Sequence, residues 1–268
     1  MGRMQSPSSI NTFRQCPRKY YYAYIQKLPT KPSINLLMGS VVHETLEEFF
    51  EQECKEAGDL LTSLQQHVLG ILKERWEAHD KETTELGLTA AELVSYKSDS
   101  ALMLINWLAH FWKELQTDMA AGLSFSEAFK RRTPRTEEEY RSEELQVRGF
   151  IDAIHEIDDE VHIRDYKTSR NPILTDDYKL QLAIYALLYK HNHGKVPDSV
   201  GIFFLKHGEQ LLEVNDELLA LADREIRWVH ERTQTEDIKD YDKRPSPLCN
   251  YCDFYDECWN QKELGDFK

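Results

Sequence analysis

The chain has 268 residues, 41% of them hydrophobic and 30% charged, with a formal net charge of -14. That length suits one large domain, or a domain with a sizeable insertion, and apolar runs such as "LALADREIRWV" are broken by charge before they can span a bilayer, so no membrane segment is expected. So acidic a chain excludes general electrostatic capture of nucleic acid: any such partner needs a local positive groove.

Five cysteines, an odd count without a secretion signal, fit reduced thiols in the cytoplasm better than a disulfide framework. The opening "MGRMQS" formally matches a myristoylation pattern, but nothing apolar or polybasic supports it, and it reads as a plain start.

In chain order, "SPSSINTFRQCPRKYYYAY" predicts a helix capped by Ser8 or Ser9, with Ile10, Phe13, Tyr20 and Tyr24 on its apolar side. It carries Cys16. Arg14, Arg18 and Lys19 alternate there with tyrosines, a mix that suits a single-strand-binding surface and equally a solvated face over an aromatic core. "GSVVHETLEEFFEQECKEAG" predicts a second helix, with His43 one turn in, Leu46, Phe50 and Cys54 on one face, and Gly58 at its end.

From Leu60 to Leu123 the spacing stays helical, and residues 60–135 read as a helical insertion within one domain spanning 1–268. Beyond Pro134 alternation takes over: "ELQVRGFIDAIHEI" and "EVHIRDYKTS" predict a hairpin turning at Asp158 and Asp159. A helix from Asp176 to about His191, strands in "SVGIFFLKH" and "QLLEVN", and a helix from about Asp216 to Thr233 complete the pattern. The order indicates an α/β fold, a small mixed sheet flanked by helices.

On the predicted strand, Asp165 and Lys167 share a face and Tyr166 points away. In simple register Asp152 lies across the ladder from Asp165, so two carboxylates and an ammonium meet. As buried structure this cluster is costly, whereas a divalent cation would offset the repulsion, and hard oxygen donors select Mg²⁺ or Mn²⁺. Taken alone, Asp-x-Lys also fits a surface ion pair. Gln181 and Tyr185 stand one helical turn apart. Near the end, in residues 245–260, Cys249, Cys252 and Cys258 offer three thiolates, one short of a usual zinc or iron-sulfur set.

Together, "SSINTFRQCPRKYYY", "GSVVHE", "GFIDAI", "RDYKTS" and "QLAIY", in that order, resemble the RecB-type branch of the PD-(D/E)XK nucleases. The likeness is greatest to members with an iron-sulfur cluster, the CRISPR-associated adaptation exonucleases and the nuclease domains of AddB-type helicase-nucleases.

The resemblance implies a restriction-endonuclease-like core. It makes His43, Asp152, Asp165 and the Tyr166 carbonyl ligands of Mg²⁺ or Mn²⁺, Lys167 the catalytic lysine, and Gln181 and Tyr185 supporting residues. It further implies a [4Fe-4S] cluster on Cys16, Cys249, Cys252 and Cys258, clasping the two termini together, with Cys54 the rival for the fourth place and a zinc site the alternative. The expected activity is hydrolysis of DNA, most readily a single strand from its end, with Arg14, Arg18 and Lys19 along the path and a CRISPR integrase or a helicase as partner. The competing expectation is a catalytically silent module that binds DNA or a partner.

Overall fold

A computed structural model describes residues 3–51 and 59–259; Cys54 and Gly58 lie outside them. In chain order the elements are α1 (Pro7–Gln15), α2 (Pro17–Tyr20), a π-helical turn (Tyr21–Ile25), α3 (Ile34–Glu51), α4 (Leu60–Ala78), α5 (Asp80–Glu85), α6 (Ala90–Ala120) and α7 (Phe125–Arg132). Strands β1 (Arg135–Ser142), β2 (Val147–Ile157) and β3 (Glu160–Lys167) follow, then α8 (Asp176–His193), β4 (Ser199–Phe204), β5 (Gly208–Glu213), α9 (Asp216–Arg232) and α10 (Tyr255–Trp259). This is the expected mixed α/β architecture.

Local chemistry accounts for most boundaries. Ser6, rather than Ser8 or Ser9, caps α1, and the Ser9 side chain completes a capping box. Thr89 and Ser124 do the same for α6 and α7, with Glu92 and Glu127 as reciprocal partners. Asp158 and Asp159 both adopt left-handed backbone conformations, as a two-residue hairpin turn requires. Helix α3 begins at Ile34, so His43 sits more than two turns in.

The five strands lie in the order β1-β2-β3-β4-β5, antiparallel except for the parallel pair β3 and β4, which α8 connects. Strand β1 escapes sequence reading because "RTEEEYRS" is too polar to show an apolar alternation.

A core lies on each face of the sheet. Helices α1, α8 and α9 pack on one through Ile10, Phe13, Leu182, Leu188 and Ile226. On the other, α3, α4 and α6 bury Phe49, Leu64, Trp107 and Phe111 against Tyr166 and Phe203 of the sheet. Residues 60–132 thus supply much of one helical layer. Arg164 of β3 ties that layer down, meeting Glu114 of α6 at 3.1 Å and Glu209 of β5 at 2.6 Å.

Candidate active site

Strand β2 departs from simple alternation in the middle. Ile151 and Ile154, three apart, both join the α8-side core, while Ala153 joins the other. Asp152 lies at this irregularity. Its Oδ2 accepts the backbone N–H of Tyr166 at 2.8 Å, just past the point where the β2–β3 pairing ends with Ala153 opposite Arg164, so the same register carried one step on brings Asp152 toward Asp165.

Across from Asp152 on β1, Glu137 adopts a left-handed backbone with φ 49°. This conformation is strained for a residue with a Cβ. Glu137 is the site residue that sequence reading missed: only the pairing of β1 with β2 distinguishes it from the neighbouring glutamates.

Lys167 Nζ stands 2.6 Å from Asp165 Oδ2. Asp165 is 1% exposed, and its Oδ1 accepts a hydrogen bond from Gln181 Nε2 at 2.8 Å. The same amide donates to the Tyr185 hydroxyl at 2.8 Å, so α8 positions the carboxylate from below. Gly149 makes room for this support, because a Cβ there would lie 3.1 Å from Tyr185 Cε1 and 3.4 Å from Pro7 Cδ.

From α3, His43 Nδ1 lies 3.4 Å from Asp152 Oδ2 and 3.9 Å from Glu137 Oε1. Its Nε2 is 2.9 Å from the Tyr166 carbonyl. A carbonyl can only accept, so Nε2 carries a proton and Nδ1 faces the carboxylates. A metal-binding histidine is commonly oriented in this way, one nitrogen held by a carbonyl and the other presented to the ion. In this arrangement the Tyr166 carbonyl orients His43.

The electrostatics match the crowding. Burial, and then the Asp165 charge, raises the pKa of Asp152 to about 7. Burial by itself would lower that of His43, but Glu137, Asp152 and Asp165 outweigh it and raise the value to about 9. Lys167 is likewise desolvated, and the carboxylates Asp165 and Asp152 overcome that effect and raise its pKa, so it stays cationic.

One ligand atom from each of His43, Glu137 and Asp152 lies within 4.8 Å of the others. Two carboxylates and an imidazole are donors that Mg²⁺ or Mn²⁺ accepts. Asp165 Oδ2, buried and paired with Lys167 Nζ, adds a further oxygen beside this group, and a cation would relieve the repulsion that raises Asp152.

The cysteines form a separate place. Cys16, Cys249, Cys252 and Cys258 are all unoxidised and line one cavity of about 230 Å³ with Arg18, Lys19 and Lys243. No cysteine joins the His43 group among the described residues. Arg14 does not line this cavity; its guanidinium is held between Asp177 at 3.4 Å and Glu225 at 3.2 Å. Among the described residues no helix is long and apolar enough to cross a membrane.

The chain is 24% identical to the Gene 69 protein of Mycobacterium phage L5, over 95% of this chain and 96% of that protein. It is 27% identical to the Gene 69 protein of Mycobacterium phage D29, over 75% and 74%. The crystal structure of a "Putative exonuclease" from Eubacterium rectale has the same fold, with a TM-score of 0.55 over 94% of this chain and 87% of that one at 15% identity. Residues 5–259 match the PD-(D/E)XK nuclease superfamily, and with the acidic pair, the lysine and the mixed sheet in place, the chain belongs to that superfamily.

Proposed function

We propose that this protein is a deoxyribonuclease dependent on Mg²⁺ or Mn²⁺, acting from the end of a single strand. The observation that carries this reading is the convergence of Asp152, Asp165, Lys167, His43 and Glu137 from four elements on one half-buried spot. Burying so much charge for structure alone is unfavourable.

Asp152, Asp165, His43 and Glu137 would hold the ion, which supplies Lewis acidity toward a phosphoryl oxygen and a more acidic water. Lys167, cationic and fixed by Asp165, stabilises negative charge building on the phosphate as the P–O bond breaks. Gln181 and Tyr185 keep Asp165 from turning away. The neutral alternative, a silent binding module, is disfavoured by the intact acid–lysine set.

A [4Fe-4S] cluster is the reading we attach to the cysteine cavity, and it is supported by the lining of one cavity by all four of Cys16, Cys249, Cys252 and Cys258; zinc on the same thiolates is the alternative. Thiols kept reduced in this way suit the cytoplasm.

Cleavage of a labelled single strand in Mn²⁺, compared with EDTA, tests the activity. Wild type should cut, and Asp165→Ala and Lys167→Ala should each lose at least about 100-fold. Binding without cleavage by wild type would mean the silent module; undiminished cleavage by both variants would reject this site. End-blocked and circular strands should resist if the attack begins at an end.

A further inference from the structure

We propose that a cleft of about 440 Å³ beside the catalytic residues binds a backbone phosphate of the nucleic-acid strand, and that α6 of the helical insertion forms its outer wall. The inference rests on the nuclease reading and adds a substrate subsite to it.

The cleft begins where the catalytic residues end. Thr168, Ser169 and Arg170 directly follow Lys167 and form one side. Asn35, in the first turn of α3, forms another, on the helix that carries His43. The two sides touch near Gly39, where a Cβ would lie 3.9 Å from Thr168 Oγ1. Tyr96 and Asp99 of α6 close the third side.

The chemistry of these walls is that of an anion site. They offer three hydroxyls, an amide, a guanidinium and an ammonium, and the first turn of α3 contains no acidic residue to oppose an anion at that helix end. Asp99 is the negative group present, and Lys206 neutralises it at 2.8 Å. The Arg170 guanidinium makes no hydrogen bond or ion pair with any described residue, although its carbonyl is pinned by His207 Nε2 at 2.8 Å.

A fixed backbone therefore presents a free cation next to the catalytic lysine, on a chain whose net charge is -14. Such a local positive spot is what an acidic protein needs to hold a polyanion. The remainder of the loop is also held, since Gln210 Nε2 donates to the Pro172 carbonyl at 2.7 Å. Bidentate pairing of Arg170 with phosphate would register the strand so that the adjacent phosphodiester meets Lys167.

The test is fluorescence anisotropy of a labelled single-stranded oligonucleotide in EDTA, at several salt concentrations, with wild type, Arg170→Ala and Arg170→Glu. Arg170→Ala should weaken binding about tenfold and lower the slope of log affinity against log salt by about one. Arg170→Glu should weaken it further, with melting temperature and Mn²⁺-induced stabilisation unchanged in both.

If wild type binds and cuts in an Asp152-dependent way while both variants bind with its affinity and salt slope, the cleft assignment is wrong and the nuclease reading stands. If wild type neither binds nor cuts DNA, both fall together.

Discussion

Asp152 uses one oxygen for two partners: Oδ2 accepts the Tyr166 backbone N–H at 2.8 Å and lies 3.4 Å from His43 Nδ1. The first contact locks β2 to β3 at the point where the strand departs from regular alternation. The second brings α3 to the same spot. One side chain thus links three elements of the site, and the separate effects of its charge and its hydrogen bond can be distinguished.

Asp152→Asn keeps an oxygen for the Tyr166 N–H and removes the charge. Because burial and Asp165 raise the pKa of Asp152 to about 7, the folded state binds its proton more tightly than the unfolded chain, and the ionised form is destabilising. In EDTA at pH 8 the variant should therefore be more stable than wild type, by roughly 1–3 kcal/mol. The advantage should shrink as pH falls through 7 and vanish near 4. The same variant should lose Mn²⁺-induced stabilisation and cleavage. Thermal melts with and without Mn²⁺ across this range check both effects; equal stability at pH 8 would refute the electrostatic account.

Glu137 gives a second separation of fold from function. Its left-handed φ of 49° costs an ordinary residue about 1 kcal/mol, a strain that glycine escapes. Glu137→Gly should leave the melting temperature unchanged or higher, despite losing a side chain, while Glu137→Gln keeps the strain. Both should weaken Mn²⁺ binding, by about tenfold on the scale of a lost supporting ligand. Calorimetric titration with Mn²⁺ measures this directly, and wild-type affinity in both variants would remove Glu137 from the ligand set.

The legibility of these residues follows from the range of the interactions that define them. Asp165 and Lys167 are two apart on one strand, and Gln181 and Tyr185 four apart on one helix, so period alone puts each pair on a face. The Asp152–Asp165 approach follows from a hairpin whose turn is marked by Asp158 and Asp159. Glu137 depends instead on β1, whose polar sequence shows no periodicity, and on a backbone conformation that no residue type announces. The cleft at Arg170 depends on where α6 lies relative to β3, through Asp99–Lys206 and Glu114–Arg164. Such contacts between residues distant in sequence leave no local pattern.

His155 makes the fold acid-sensitive. It is 3% exposed on β2, and burial, then the charge of Arg164, holds its pKa well below the usual histidine range. Arg164 Nη1 donates toward its Nε2 at 3.4 Å, so the ring is held neutral. The unfolded chain takes up a proton near pH 6.5 and the folded one does not, so this contribution is complete above 6.5 and lost as pH falls below it. Protonation of Asp152, with its raised pKa, acts in the opposite direction, so the His155 effect is read as a difference: relative to His155→Gln, wild type should lose melting temperature between pH 6.5 and 5.5, by about 2–4 °C for each kcal/mol. Parallel pH profiles for the two proteins would show that His155 does not contribute.

Cys16 and Cys258 come from opposite ends of the described chain and line the same cavity. Around them the ends are already joined: Arg18 Nε donates to the Tyr241 carbonyl at 2.7 Å, the Arg18 backbone N–H to the Asp242 carbonyl at 3.1 Å and the Tyr22 hydroxyl to the Glu257 carbonyl at 3.1 Å, while Lys243 Nζ braces the C-terminal segment by donating to the Cys258 carbonyl at 2.6 Å. These bonds are partly solvated and each contributes about 1 kcal/mol, beside the packing of Tyr20 and Tyr22 on Tyr241 and Phe254. A cluster held by four thiolates would close a loop of nearly the whole chain, a restraint that acts chiefly on the unfolded ensemble. Cys258→Ala should therefore lose iron and visible absorbance, melt several degrees lower, and open the segment around Tyr251 and Trp259 to protease. Asp152, Asp165 and Lys167 do not line this cavity, so residual cleavage at low temperature should survive. A colourless wild-type protein carrying stoichiometric zinc after anaerobic purification would replace the cluster with zinc. Unchanged iron content and stability in Cys258→Ala would remove the clasp altogether.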